Sequence, residues 1–202
     1  MYHQDFFLRE VHRYLGYGKV QPDETVERLI AECAEEIKQN MSPRHVLARF
    51  PMEITKQDEI LTAGLTIKSH ALAKNLRGCR EVIFFAATLG NGVDMLINRY
   101  GKIAVSRAAV VQAVAAAFME EYCDTCQEAQ RELLQKEGLT LRPRFSPGFA
   151  DLPLSIQVDF LRVLDAGKKV GICLSEGNIM LPEKSVTAFM GICRMEDRSI
   201  NE

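Results

Sequence analysis

Nowhere does this sequence hold an apolar run of the roughly 18 residues that a membrane-spanning helix needs. The best stretch, 108–119, is short, Ala-rich and interrupted by Gln112, and it reads as a buried helix. The charged N-terminus carries no apolar leader segment, so a cytoplasmic protein is expected. Charge of one sign is also missing. With 25 Lys and Arg against 27 Asp and Glu, the net charge of −2 gives no basic excess for a nucleic-acid interface. The four histidines, His3, His12, His45 and His70, are scattered with no H-E-x-x-H, so no metal site is expected. No Ser/His/Asp or Cys/His constellation offers an activated nucleophile. Of six cysteines only Cys123 and Cys126 form a C-x-x-C. They sit inside a helical pattern with no second pair at zinc spacing, which predicts a half-buried pair of structural thiols.

What remains is an ordinary core-forming composition. At 202 residues and 47% hydrophobic, the chain can bury roughly 70% of its unfolded surface without a disulfide or metal. The expectation is an N-terminal helical segment, 1–42, and a main domain, 43–202, forming one structural unit. Phe6, Phe7, Val11 and Leu15 recur at helical spacing until Gly16-Tyr17-Gly18. Pro22-Asp23-Glu24 then opens a second amphipathic helix, with Val26, Leu29, Ile30, Cys33 and Ile37 on one stripe, ending near Asn40.

From Pro43 the period shortens. Val46, Ala48 and Phe50 alternate, and 59–62 and 65–67 flank Gly64, which predicts short antiparallel strands. Ser69 can cap a short helix over 70–76. Residues 81–87 are a continuous apolar run, the pattern of a central strand covered on both faces. The run enters Thr88-Leu89-Gly90-Asn91-Gly92 and then a helix over 93–100. Strand, glycine turn and helix raise a dinucleotide-site reading, but Met95 stands where the third glycine belongs and no βαβ series follows. A structural or rim role is preferred. Residues 104–136 form the longest helical pattern, apolar nearly all round until Glu120-Glu121, where a carboxylate emerges to face a cleft or solvent. The fold expected is α+β: an antiparallel sheet with this long central helix packed across it.

The stretch 144–153, Arg-Phe-Ser-Pro-Gly-Phe-Ala-Asp-Leu-Pro, is the clearest functional candidate. Three of the seven prolines, Pro143, Pro147 and Pro153, forbid regular structure here. Gly148 permits positive φ or close backbone approach, and Arg144 adds a fixed guanidinium fork. A stiff loop with exposed amides is predicted. Beyond it, 155–166 reads as a helix capped by Ser155 and stopped by Gly167. Strands are expected over 170–174 and 186–192, with Glu176-Gly177-Asn178 turning between them. The polar tail, 195–202, is expected to fray.

Arg144-x-x-x-Gly148-Phe149 resembles the S-adenosylmethionine-binding loop of the activation domain of cobalamin-dependent methionine synthase. The order of the text beyond it supports this: the amphipathic segment, then Leu174-Ser175-Glu176, then Met180-Leu181-Pro182-Glu183-Lys184-Ser185-Val186. The likeness is specific over 144–192 and looser over 43–138; the first forty residues look more like the stand-alone forms of that domain. The resemblance implies S-adenosylmethionine contacts from Arg144, from Ser146 through its main chain, from Gly148 and Phe149, and from a helix glutamate. Glu120 is chosen for that glutamate over Glu121. Phe149 departs from the family's usual tyrosine, so a phenol hydrogen bond is lost. The family's further tyrosine contact lies beyond this chain's last residue.

The implied function is that of a reactivation domain. It binds S-adenosylmethionine and supports reductive methylation of inactive cob(II)alamin on a partner methionine synthase, with electrons from a flavodoxin-like donor. The chain has no D-x-H-x-x-G, so cobalamin comes only through the partner. Cob(I)alamin is itself the nucleophile, and no side-chain base is needed. The alternative is a non-catalytic binding module or activator for another corrinoid protein.

Overall fold

The computed structural model describes residues 4–18, 20 and 22–195. Helices α1 (Gln4–Tyr14) and α2 (Glu24–Asn40) come first, α2 opening where Asp23 accepts from the Val26 N–H at 2.9 Å. Strands β1 (Arg44–Ile54), β2 (Glu59–Thr62) and β3 (Leu65–Lys68) follow, then helix α3 (His70–Asn75) and strand β4 (Glu81–Thr88). Helices α4 (Asn91–Ile103) and α5 (Val105–Gln135) lead to strand β5 (Leu139–Leu141). After the loop come a 3-10 turn (Leu154–Ile156), helices α6 (Gln157–Leu164) and α7 (Ala166–Val170), and strands β6 (Cys173–Leu174), β7 (Met180–Leu181) and β8 (Ser185–Arg194). The tail expectation falls, beyond Met195, outside the described residues.

Six strands form one sheet in the order β3-β2-β1-β4-β8-β5, every pairing antiparallel. The α+β expectation therefore holds, and the dinucleotide reading, which requires a parallel sheet, does not. Strand β1 is one long strand where the alternation suggested shorter pieces. Its first part, Arg44 to Pro51, pairs with β4; from Met52 it pairs with β2. Pro51, which has no N–H to give a ladder, sits where the strand changes partner.

Successive residues of β4 point to opposite faces. Ile83, Phe85 and Ala87 join a core shared with α1, α2, α4 and α5; Val82, Phe84 and Ala86 join a second core under α3, α6 and α7. Val11, Ile30, Cys33 and Ile37 of the first two helices are buried in the first core beside Val111, Val114 and Phe118 of α5. Tryptophan is absent, and phenylalanine fills the second core instead. Phe84 stacks on Phe160 at 4.7 Å, and Phe189 meets both edge-on at 4.8 Å. Such pairs add about 0.5–1.5 kcal/mol each beyond the area they bury.

Two local readings are corrected. The helix after the loop stops not at Gly167 but at Asp165, which takes a left-handed conformation (φ 52°); Gly167 lies inside α7, and Gly171 (φ 75°) ends that helix. The expected strand over 170–174 thus shrinks to Cys173–Leu174, which pairs with β7 in a separate two-stranded hairpin. The Ser155 side chain makes no cap bond.

The glycine turn at 88–92 has a packing explanation. A Cβ on Gly92 would lie 2.2 Å from the Asn40 carbonyl oxygen, and one on Gly90 (φ 85°) would lie 2.4 Å from Ser42 Oγ. These glycines let the end of α2 cross the start of α4.

Candidate functional site

Loop 144–153 is held to the sheet although its prolines exclude it from a ladder. Pro143 ends β5, yet Arg142 N–H still donates to Gly191 O at 2.8 Å, and Phe145 and Phe189 exchange two 2.9 Å bonds across β8. That bridge gives Arg144 and Phe145 opposite directions. Phe145 enters the second core, and Arg144 reaches toward α5.

There the Arg144 guanidinium meets three acceptors: Glu120 Oε2 at 3.1 Å, Asp124 Oδ1 at 2.8 Å and Gln127 Oε1 at 2.9 Å. The spacing i, i+4, i+7 places all three on one face of α5. Only 18% of the Arg144 side chain is exposed, while Glu120 and Asp124 face solvent on their outer sides. One cation between two carboxylates leaves the cluster net negative. The structure thus brings together Glu120 and Arg144, two of the residues to which the resemblance gives ligand contacts. Asp124 and Gln127 were missed; the signal available was a polar i, i+4, i+7 stripe leaving an otherwise apolar helix.

Glu121 points elsewhere. It lines a groove of about 280 Å³ with Met41, Pro43, Leu89, Phe118, Tyr122 and Thr125. Its Oε2 is buried without a hydrogen-bond partner, and burial holds its carboxyl above the usual range. Adjacent Tyr122 shares a 2.9 Å hydrogen bond with His45 Nδ1. Cys123 and Cys126 are more deeply buried than the half-buried pair expected, and both are free thiols. Burial pushes Cys123 up to about 12, leaving it protonated and unreactive at neutral pH.

The tip of the loop closes on itself. Gly148 N–H donates to Leu152 O at 2.9 Å, Phe149 N–H to Ser146 O at 3.2 Å and Leu152 N–H to Phe149 O at 3.1 Å. Fewer free amides therefore face outward than the proline-rich sequence suggested. Gly148 sits at φ 85°, and a Cβ there would come within 3.1 Å of Leu154 Cδ1, so the position favours glycine twice over. Phe149 stands out with 65% of its surface exposed, its ring edge-on to Phe145 at 5.4 Å.

A second anchor, also missed, is Asp151. Its carboxylate accepts from Ser69 Oγ at 2.6 Å, His70 N–H at 2.7 Å and Ala71 N–H at 3.2 Å. The loop thereby caps α3, and the Ser69 hydroxyl leads the groups that hold the Asp151 carboxyl below its ordinary range. Bridge at one end and cap at the other, the loop is a fixed platform presenting one aromatic ring beside a charged cluster.

No protein-family model matches this sequence, and no curated protein matches it significantly. Among solved structures it is similar to the crystal structure of the MetH reactivation domain bound to AdoHcy. The TM-score is 0.65 over 91% of this chain and 74% of that one, at 16% identity. The chain has the fold of the MetH reactivation domain. The resemblance read from the loop motif is therefore matched by the architecture, the long central helix included. Among the described residues, no helix is long and apolar enough to cross a membrane, and no group of three or more His, Cys, Asp or Glu could hold a metal.

Proposed function

We propose that this chain binds S-adenosylmethionine at Arg144, Glu120 and loop 146–149, and offers its methyl group to a cobalamin held by another protein. The arrangement of Arg144 between Glu120 and Asp124 carries this reading. The ligand's amino-acid end is a zwitterion, and its sulfonium makes it a net cation. A guanidinium can take the carboxylate in a bidentate pair, while the flanking carboxylates take the ammonium. The cluster's net negative charge favours a cationic ligand and disfavours a simple anion. The exposed Phe149 ring offers an apolar face to the adenosine part, and the Ser146 main chain and Gly148 bring the backbone close. The likeness to a domain solved with AdoHcy bound supports the same ligand class.

The reaction then needs only positioning. The cobalt nucleophile of the partner takes the methyl carbon, the C–S bond breaks, and sulfur keeps the bonding pair, leaving S-adenosylhomocysteine. No proton moves, which accords with the absence of a catalytic base in the sequence. Holding the methyl at attack distance supplies several kcal/mol of barrier lowering. A flavodoxin-like protein provides the reducing electron, and the partner is a methionine synthase or another corrinoid protein in the cytoplasm. Residues 1–42 and 43–202 act as one unit in this reading.

Calorimetry with S-adenosylmethionine tests the site: saturable binding is expected, and none at about 1 mM ligand would remove it. A methionine synthase truncated of its own activation domain tests the role. With reductant and S-adenosylmethionine, the chain should restore the methylated cobalamin absorbance. Binding without restoration would instead make it a binding module for a different corrinoid protein.

A further inference from the structure

The groove that Glu121 lines is separate from the Arg144 cluster and asks for a different ligand. Glu121 follows Glu120 by one residue on α5 and so points about 100° away from it. The groove, about 280 Å³, opens where the linker from α2 to β1, the turn at 88–92 and α5 meet. Of the seven residues that line it, Glu121 alone carries a charge. Leu89 and Phe118 form its apolar floor; Met41, Pro43 and Tyr122, which keep exposed surface, form its sides with Thr125. Among the described residues the Glu121 carboxylate makes no ion pair and no hydrogen bond. Its Oε2 is closed off from solvent, so Oε1 is the oxygen left to meet a ligand. Burial raises the carboxyl; Lys38 on α2 draws it back only in part, its own ammonium being paired with Glu35 at 2.7 Å. Thr125 Oγ1 donates its proton to the Glu121 carbonyl at 2.9 Å, which leaves its lone pairs as a second acceptor. A carboxylate oxygen, a hydroxyl acceptor and the Tyr122 ring together complement an ammonium group. A ligand carboxylate would find no cation in this wall, which excludes the zwitterionic end of S-adenosylmethionine.

We infer that this groove binds a small primary amine with an apolar body and no acid group. The ammonium pairs with Glu121 Oε1 and donates to Thr125 Oγ1, while the body lies against Met41, Pro43 and the Tyr122 ring. The groove holds about 280 Å³ against the ~150 Å³ that encloses benzene, so one ring with a short aminoalkyl arm has room.

The test is calorimetric titration of the full chain with phenethylamine, phenethyl alcohol and hydrocinnamate at neutral pH and fixed ionic strength. These probes share a ring and differ in charge. The amine should saturate with a dissociation constant of about 1 mM or below, the alcohol about tenfold more weakly, and the acid not measurably by ~20 mM. Glu121→Gln keeps the shape of the side chain and should bring the amine down to the level of the alcohol. The Glu121 carboxylate has no partner in the fold, so this variant should unfold in urea no earlier than wild type does. Glu121→Asp, which retains the charge, should keep the preference for the amine. The inference is overturned if the amine does not saturate by ~20 mM, if the alcohol binds as tightly as the amine, or if Glu121→Gln binds the amine as wild type does.

Discussion

Two glycine-bearing turns in this chain raise the question of a ligand loop, 144–153 more strongly than 88–92, and the fold treats them oppositely. The turn at 88–92 is tied down by its neighbours. Leu89 N–H donates to Lys184 O at 2.9 Å, its carbonyl accepts from Ser42 N–H at 2.8 Å, and Gly90 N–H is taken by Thr88 Oγ1 at 3.0 Å. Gly92 packs against Asn40 at the end of α2, and Gly90 against Ser42 just beyond it. Loop 144–153 is anchored just as firmly, but at its ends; its tip, closed by its own backbone hydrogen bonds, carries Phe149 outward with a charged cluster alongside. A glycine records only that something approaches closely; what approaches, neighbouring backbone or ligand, is decided by elements distant in sequence.

The largest effect that could break this contrast is at Gly92. Alanine would gain about 1 kcal/mol of helix propensity in α4, but its methyl would meet the Asn40 carbonyl oxygen at 2.2 Å, a backbone atom with no rotamer to yield. Gly92→Ala is expected to lose about 3 kcal/mol of stability, measured by urea unfolding. A neutral result would mean that α2 is not packed as described and would reopen the turn as a binding site.

Arg144→Ala sharpens the other side. Deleting the guanidinium should weaken S-adenosylmethionine binding by about 1.5–3 kcal/mol, the range for charge-assisted hydrogen bonds. Stability should change far less, because Glu120 and Asp124 are half open to water and can rehydrate. Equal losses in calorimetric affinity and in urea stability would show that Arg144 serves the fold and not a ligand.

Phe149 should have a smaller effect of the same kind. With 65% of its surface exposed it contributes little to the core. Phe149→Ala should weaken ligand binding by about 1 kcal/mol, while Phe149→Tyr holds or improves it. Unchanged affinity in the alanine variant would leave the ring without a role in the small-molecule site.

How much of this was legible follows from where each signal resides. The buried β4 strand, the start of α2 at Pro22-Asp23-Glu24, the cap at Ser69 and the length of α5 are local, and they stand in runs of adjacent residues. The end of α6 was misread because Asp165, a non-glycine, adopts the left-handed conformation two residues before the obvious glycine. Arg144 was visible as a lone cation in a proline loop. Its acceptors were not, since Asp124 and Gln127 meet it only after the chain has turned through β5. Glu120 and Glu121 show the limit most sharply. They are identical neighbours on a helix, about 100° apart, and one joins the cluster while the other lines a groove with Tyr122 and Phe118.

The two anchors of loop 144–153, a backbone bridge at Phe145 and a carboxylate at Asp151, differ in that only the second can be switched off by pH. The folded Asp151 carboxyl lies below its unfolded value of about 3.9, so it favours the folded state while ionised. Its contribution is fully present above the unfolded value and is lost as pH falls through the folded one. Asp151→Ala should therefore lower the urea midpoint modestly near neutral pH. The gap to wild type should narrow as the solution is taken toward about pH 3, since protonation does to the native protein what the substitution does at every pH. The Phe145 bridge contains no titrating group, and the loop's attachment to β8 should persist over the same range, which amide exchange at Phe145 and Phe189 would report. A gap that stays constant with pH would assign the Asp151 effect to lost packing, and the cap on α3 would no longer be electrostatic in origin.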